Sequence, residues 1–394
     1  MHYIRACTKP SCWYRRTSSL RVVLDLNPAL RNRYSGFYAV GAGLLEGFSQ
    51  LDEKPELLLL YSKQFKRQAD ELLSEHGQWA YRQELLLKKR WLEKIWKVSS
   101  FPTLSNFVGD FDIYHTIHQM MPPTKGKPRI VTIHDLRRYR LPNLYKESKL
   151  TAFESAVKKA DHFIAVSQAT KEDLCDVFNI AHEKVDVAHL AVGDMFKPAS
   201  EQEKLQIKTS LSRMLNNNLD RYLLTFSSPD RRKNIGQTIR AFLSASDKIA
   251  DEMKLVVVGM PPKNDELYDQ LVSEGKMDRV IITGPVEDIS DLLRCAEGIV
   301  FASLYEGFGI PILEAFACDV PVVTSNCSSM PEVAGDGAIY VDPKQPKSIT
   351  DAIVTICNDR EKRNELIAAG KKRAMDFSWK KTAENIMAVY KKLV

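Results

Sequence analysis

The stretch SLYEGFGIPILEAFACDVPVV, Ser303 to Val323, sets two carboxylates, Glu306 and Glu314, eight positions apart around a Gly-rich turn. A pair of acids suits cleavage of a glycosidic bond, whereas a Gly-rich turn running into a helix suits phosphate. The order of residues weighs between them. GIVFASLY reads as a strand, and the chain leaves its carboxyl end through Glu306-Gly307-Phe308-Gly309. Pro311 fits the first turn of a following helix, because its missing N–H would be unbonded there in any case. The glycines let backbone approach a ligand closely, and the helix start offers unpaired donors with a partial positive charge. Glu314 is expected in that first turn, where it can accept bonds from two ribose hydroxyls; Glu306, on the loop, can hold a sugar hydroxyl. The competing structural reading is an acidic loop that only stabilises the helix start.

Four other constellations carry chemistry. In SSPDRRKNIGQTIRAF, Ser227 to Phe242, a strand ends in Arg231, Arg232 and Lys233 ahead of a helix. Adjacent Arg and Lys at such a point can clamp a diphosphate, one as a fork and the other as a point charge, although a run of charge is more often a solvated turn. His134, in VTIHDL, ends a buried strand. His115 and His118, in HTIHQMMPP, have no third ligand beside them, so an acceptor-side loop is favoured over a metal site. Gly41, Gly43 and Gly47 imitate a dinucleotide fingerprint, but they sit inside a helical pattern instead of directly after a strand. WAYRQELLLKKRWLEKIWK, Trp79 to Lys97, interleaves three tryptophans with cations at helical spacing, which suits either a membrane interface or a core-packed helix.

The elements that must position these groups alternate. RVVLDL, ELLLLY, RIVTIHD and HFIAVS in the first half, and YLLTFS, KLVVVG, VIITG, GIVFAS and PVVTS in the second, are apolar on both faces, as buried parallel strands are. Helical patterns lie between them, including Glu147–Ala160 and a segment that Ser167 would cap. Strand–helix alternation twice over predicts an α/β chain of two doubly wound, Rossmann-like domains facing across a cleft. A length of 394 residues agrees with two cores. The expected organisation is an N-terminal extension over 1–20, an acceptor-side domain over 21–195, a donor domain over 196–377, and a C-terminal helix over 378–394 packing back on the first domain. Residues 1–195 hold 29 Lys+Arg against 22 Asp+Glu and the remainder 27 against 28, so the basic excess and an anionic partner belong to the first half. No run of 18 apolar residues is present, and seven scattered cysteines without a C-x-x-C pair point to free thiols in a reducing cytoplasm.

SLYEGFGIPILEAFACDVPVVTSNCSSMPEVAGDGAIYVDP resembles the donor-site signature of retaining glycosyltransferases of family 4, with the GT-B fold: that family's E-x7-E motif falls on Glu306 and Glu314. The likeness extends to VEDISDLLRCA, to FSWKKTAENIMAVYKKL, and in the first half to TIHDLRRYRLP and AVSQATKEDL. It implies that Arg232 and Lys233 bind the donor diphosphate, in a loop where relatives usually carry Gly and this chain has Ser227 and Ser228. It implies that His134 lies beside the donor sugar and departing phosphate, that Gly36 in YSGFYAV belongs to a glycine loop close to the donor phosphates, and that Arg137 to Tyr139 face the acceptor. His134, Glu306, Arg232 and Lys233 are the expected catalytic residues. Gly36, Gly307, Phe308, Gly309, Ile310, Glu314, Gly284 and Val286 are the expected donor-binding residues, with base contacts from backbone near Gly284-Pro285-Val286 and Gly259-Met260.

The implied activity is metal-independent, retaining transfer of a hexose from a nucleotide diphosphate sugar, GDP- or UDP-linked, to a glycan or lipid-linked glycan in cell-surface polysaccharide synthesis. No metal, further cofactor or nucleic acid is called for. A likeness to bacterial mannosyltransferases of polysaccharide assembly favours GDP-mannose. The expected location is cytoplasmic, with residues 79–97 as the candidate contact to the inner face of the plasma membrane. The alternatives are a nucleotide-sugar epimerase or hydrolase of the same fold, and a catalytically silent sugar-nucleotide-binding protein.

Overall fold

The computed structural model describes residues 19–33, 35–85, 89–145 and 151–394. Nearly all of the expected extension over 1–20, and the first residues of the helix expected over Glu147–Ala160, lie outside them; the described part of that helix is Thr151–Lys159. The chain divides into two compact units. The first is drawn from the described residues of 19–136, 151–191 and 378–394, and the second from 137–145 and 192–377.

The first unit is built on strands β1 (Arg21–Asp25), β2 (Glu56–Ser62), β3 (Tyr81–Leu85), β4 (Ile113–Thr116), β5 (Arg129–Ile133), β6 (His162–Ala165) and β7 (Val185–Val187). All pair in parallel, in the order β3-β2-β1-β4-β5-β6-β7. The second unit holds β8 (Arg221–Ser227), β9 (Met253–Gly259), β10 (Val280–Gly284), β11 (Gly298–Phe301), β12 (Val322–Ser325) and β13 (Ala338–Val341), also parallel, in the order β10-β9-β8-β11-β12-β13. Side chains such as Leu223, Leu255, Val257 and Val300 point from this sheet into a core closed by Ile239, Phe242, Ile353 and Ile356 of the helices. In each sheet the chain winds out to one edge and then returns to build the other half. The crevices at the strand order's reversal therefore open beyond the carboxyl ends of β1 and β4, and of β8 and β11.

Residues 79–97 are not one helix. Tyr81–Leu85 is the edge strand β3, in register with Leu58–Ser62, and the helix is confined to Lys89–Val98. The polar run Arg82-Gln83-Glu84 hid the strand, because an edge strand need not be apolar on both faces. His115 is likewise not on a loop. It lies on β4, fully buried, with Nδ1 2.6 Å from the Tyr390 hydroxyl and Nε2 2.7 Å from Thr132 Oγ1. No described helix is long and apolar enough to cross a membrane.

The false dinucleotide fingerprint has a packing role within the first unit. Gly43 and Gly47 lie in the helix Gly36–Ser49, against the C-terminal helix Trp379–Leu393. A Cβ at Gly43 would fall 2.0 Å from the Trp379 ring, and one at Gly47 would fall 2.1 Å from the Trp379 carbonyl oxygen. Tyr390 stacks on Phe48, and Thr382 bonds the His189 carbonyl, so the C-terminal helix is fastened along its length. Gly47→Ala should cost about 1–3 kcal/mol by overpacking against backbone that cannot move aside. Thermal unfolding will register this as a fall of several degrees. Gly36→Ala, where a Cβ meets nothing within 4 Å, should leave the melting temperature unchanged.

Candidate functional site

The loops leaving β8 and β11 meet at the second unit's crevice and bring Arg232, Lys233 and Glu306 together. After Ser227 the chain turns through a single 3-10 turn, Arg231–Lys233, capped by Asp230 and ended by Asn234 in the left-handed region (φ 58°). Asn234 Nδ2 donates to the carbonyls of Ala302 and Pro343, at 3.0 and 2.8 Å, and pins the turn beside β11. At the Ser227-Ser228 departure the Ser227 hydroxyl donates to the Met260 carbonyl at 2.7 Å, and the backbone of Ser227 runs close against Gly259 on β9. With φ 112°, that glycine leaves no room for a side chain, since its Cβ would fall 2.1 Å from the Ser227 carbonyl oxygen.

Glu306 is only 7% exposed. Its Oε1 accepts from Lys233 Nζ at 2.8 Å, and its Oε2 pairs with Arg232 Nη1, which also bonds the Tyr305 carbonyl at 2.9 Å. Burial alone would raise this carboxyl's pKa; the fields of Lys233 and Arg232 and their hydrogen bonds overcome it and hold the pKa to about 2. Burial lowers the Lys233 pKa, Glu306 opposes that shift, and the ammonium lies 4.7 Å above the Phe301 ring. The basic pair is therefore ion-paired to the Glu306 loop.

Three serines hold the loop that carries Glu306. Ser328 Oγ accepts from the Glu306 amide at 3.0 Å, Ser329 Oγ bonds the carbonyls of Glu306 and Phe308, and Ser325 Oγ donates to the Ser303 carbonyl. Gly309, at φ 107°, then starts the helix Ile310–Ala317, which has Pro311 in its first turn and no side-chain cap. No side-chain oxygen caps this start, Pro311 has no N–H to offer, and the Ile312 amide bonds the Gly309 carbonyl at 3.0 Å. Glu314 lies one turn further on than expected, on the second turn of this helix. It is largely buried, bonded by no described donor, and burial pushes its pKa up to about 7 against the weaker pull of Lys233. Gly284 and Val286 end up at the carboxyl end of β10, two strands from β8; among the described residues no bond links them to the triad.

The first unit has its own cluster at the crevice between β1 and β4. Asp25, buried at the end of β1, accepts from the amide of Asn27 and from the Tyr114 and Thr116 hydroxyls, fixing the turn that leads to Gly36. Gly36 opens its helix under the cap of Ser35. Phe37 packs edge-on against His134, at 4.9 Å between centroids, and against His118 at 6.2 Å. Burial, then the nearness of His118, lowers the His134 pKa to about 4, so the ring is neutral; a bond to the Ile117 backbone works the other way. His134 Nε2 is buried with no hydrogen-bond partner. A hydroxyl of a ligand is the group it would take. Phe37, Asp230, Asn234, Tyr305, Ser328 and Ser329 were not singled out from sequence. Only the asparagine, beside the basic pair, and the serines, in the motif's tail, carried any signal there.

The Glu314 carboxylate has a measurable cost. The folded chain retains its proton up to about pH 7, whereas the unfolded chain releases it near 4.5. Its contribution to stability is therefore intact below about pH 4.5 and lost as pH rises to about 7. Glu314→Gln should match the parent's melting temperature at pH 4, exceed it by several degrees at pH 8, and weaken nucleotide binding about tenfold or more.

Comparison with known proteins places both halves of the chain in glycosyltransferase profiles. The profile described as Glycosyltransferase Family 4 matches residues 58–193, and that of Glycosyl transferases group 1 matches residues 208–373. The chain is 27% identical to the O-antigen chain mannosyltransferase B of Escherichia coli over 364 residues, 89% of this chain and 90% of that protein. It is 26% identical to the O-antigen chain mannosyltransferase RfbU of Salmonella typhimurium over 253 residues, 63% of this chain and 65% of that one. Among solved structures, HepE of Anabaena in complex with UDP and glucose superposes with a TM-score of 0.69 at 18% identity, covering 94% of this chain and 100% of that one, which establishes the fold.

Proposed function

Since the chain belongs to the family 4 glycosyltransferases of the GT-B fold, we propose that it transfers mannose from a nucleotide diphosphate sugar to a glycan or lipid-linked glycan, with retention of anomeric configuration. The observation that carries this is the convergence of Arg232, Lys233 and Glu306 at the carboxyl ends of β8 and β11, beside an uncapped helix start. Two cations held there supply the countercharge a leaving diphosphate needs. The C1–O bond of the donor breaks towards the phosphate, an oxocarbenium-like centre develops, and the acceptor oxygen bonds to C1 on the same face. The acceptor's proton passes to the departing phosphate, so neither a protein base nor a metal is required. Arg232, Lys233 and the amides of Gly307 to Ile310 stabilise the leaving group, Glu306 holds a sugar hydroxyl while keeping the cations in place, Glu314 takes the ribose, and His134 Nε2 accepts from a sugar hydroxyl.

Mannose as the transferred sugar, and polysaccharide synthesis as the setting, rest on the two O-antigen relatives; they favour GDP-mannose, while the UDP complex of HepE keeps UDP-sugars in view. A thermal-shift panel of GDP-, UDP- and ADP-sugars should raise the melting temperature with GDP-mannose above the rest. No shift with any of them at saturating concentration removes the donor-site reading. Arg232→Ala should reduce kcat/KM by about a hundredfold or more. Glu306→Ala should lose transfer and also about 3–5 kcal/mol of stability, because it strands two buried cations, so Glu306→Gln is the better kinetic probe.

The proposed location is cytoplasmic, with a peripheral membrane contact through the helix Lys89–Val98. Trp91 is 55% exposed with Lys94 Nζ 5.3 Å from its ring centre, whereas Trp96 is buried and bonds the Pro102 carbonyl. Co-sedimentation with anionic vesicles, reduced by Trp91→Ala and unchanged by mutation of the buried core, is the expected outcome; no sedimentation at low salt removes the contact.

A further inference from the structure

We infer that Asp230 is a positioning residue for Arg232, and that Tyr145 and Arg137, which follow His134 in the chain, hold Asp230 in that role. The inference rests on the reading of Arg232 as part of the leaving-group clamp. Residues 137–145 begin just after β5 and His134, yet they group with the second unit. The Tyr145 hydroxyl donates to Asp230 Oδ1 at 2.6 Å, and Arg137 Nε lies 3.4 Å from Oδ2. The Arg138 guanidinium lies over the Tyr145 ring at 5.6 Å.

The same carboxylate organises the cation turn. Oδ1 accepts from the Arg232 amide at 3.2 Å and Oδ2 from Arg232 Nε at 3.3 Å. Arg232 is thereby held at Nε by Asp230 and at Nη1 by the Tyr305 carbonyl and Glu306, which fixes the plane of the guanidinium. A planar fork on four rotatable bonds is useful to a diphosphate only if its orientation is set in advance. Burial, then the bond to Asp230, raises the Tyr145 pKa, so the phenol stays a donor across the working range. A carboxylate that only capped the 3-10 turn would need no partner from residues 137–145. The two donors from that segment aim Asp230 at the guanidinium.

The test uses the full chain and titrates GDP and GMP by calorimetry, with the UDP and UMP pair run alongside. A positioning role acts on the clamp that the second phosphate meets, so it should separate the two ligands. Tyr145→Phe should lower the diphosphate affinity by about three- to tenfold while the monophosphate affinity changes less than about twofold. Asp230→Asn should lower diphosphate affinity by about tenfold or more, and Asp230→Glu should recover part of it. The double variant Asp230→Asn/Tyr145→Phe should be no worse than Asp230→Asn alone, because Tyr145 acts through that carboxylate. Parental diphosphate affinity in Tyr145→Phe, equal losses for both ligands, or additive losses in the double variant would each overturn the inference. If instead Arg232→Ala binds the diphosphate as the parent does, the clamp reading itself fails, and this inference with it.

Discussion

Glu306 is almost withdrawn from water and keeps its charge because Lys233 and Arg232 reach it from the neighbouring loop. An isolated carboxylate at that depth would take up a proton, and two cations there without it would repel each other. The triad is possible only where the ends of β8 and β11 are adjacent, which is where the strand order of the second sheet reverses. The serines that grip the Glu306 loop, the Asn234 bonds that hold the cation turn and the left-handed Gly309 all serve this one approach.

The same site carries two carboxylates in opposite conditions. Glu306 is paired and ionised. Glu314, one helix turn deeper than its sequence position suggested, is unpaired and is driven towards its neutral form by burial. A group so placed costs stability once it is ionised, because burial penalises its charge and no described donor offsets it. The first unit repeats the pattern with His134, whose Nε2 is buried with no hydrogen-bond partner and whose charged form burial disfavours.

The glycines show how similar residues acquire different work. Gly43 and Gly47 exist to admit the C-terminal helix, and Gly259 to admit the Ser227 carbonyl; these are matters of close approach. Gly309 instead turns the chain with a positive φ, and Gly36 opens onto empty space. The fingerprint-like spacing of Gly41, Gly43 and Gly47 was already disfavoured by its helical setting, and the neighbours of Gly43 and Gly47 show what those two glycines do instead.

Much of the fold was legible along the chain. Nine of the strands were visible because a strand buried on both faces must be apolar throughout, and Ser167 does cap its helix, accepting from Thr170. The strands that escaped, Tyr81–Leu85, Ile113–Thr116, Val185–Val187 and Ala338–Val341, are short, polar or at an edge, where burial leaves no periodic trace. The residue types of the site were legible too: two acids, a basic pair and a Gly-Pro turn are local patterns that backbone geometry demands. What local pattern cannot carry is which charge neutralises which. Glu306 lies 73 positions from Lys233, and Asp230 lies 85 from Tyr145. Those partnerships arise from sheet order and loop direction, so they exist only once the chain is folded.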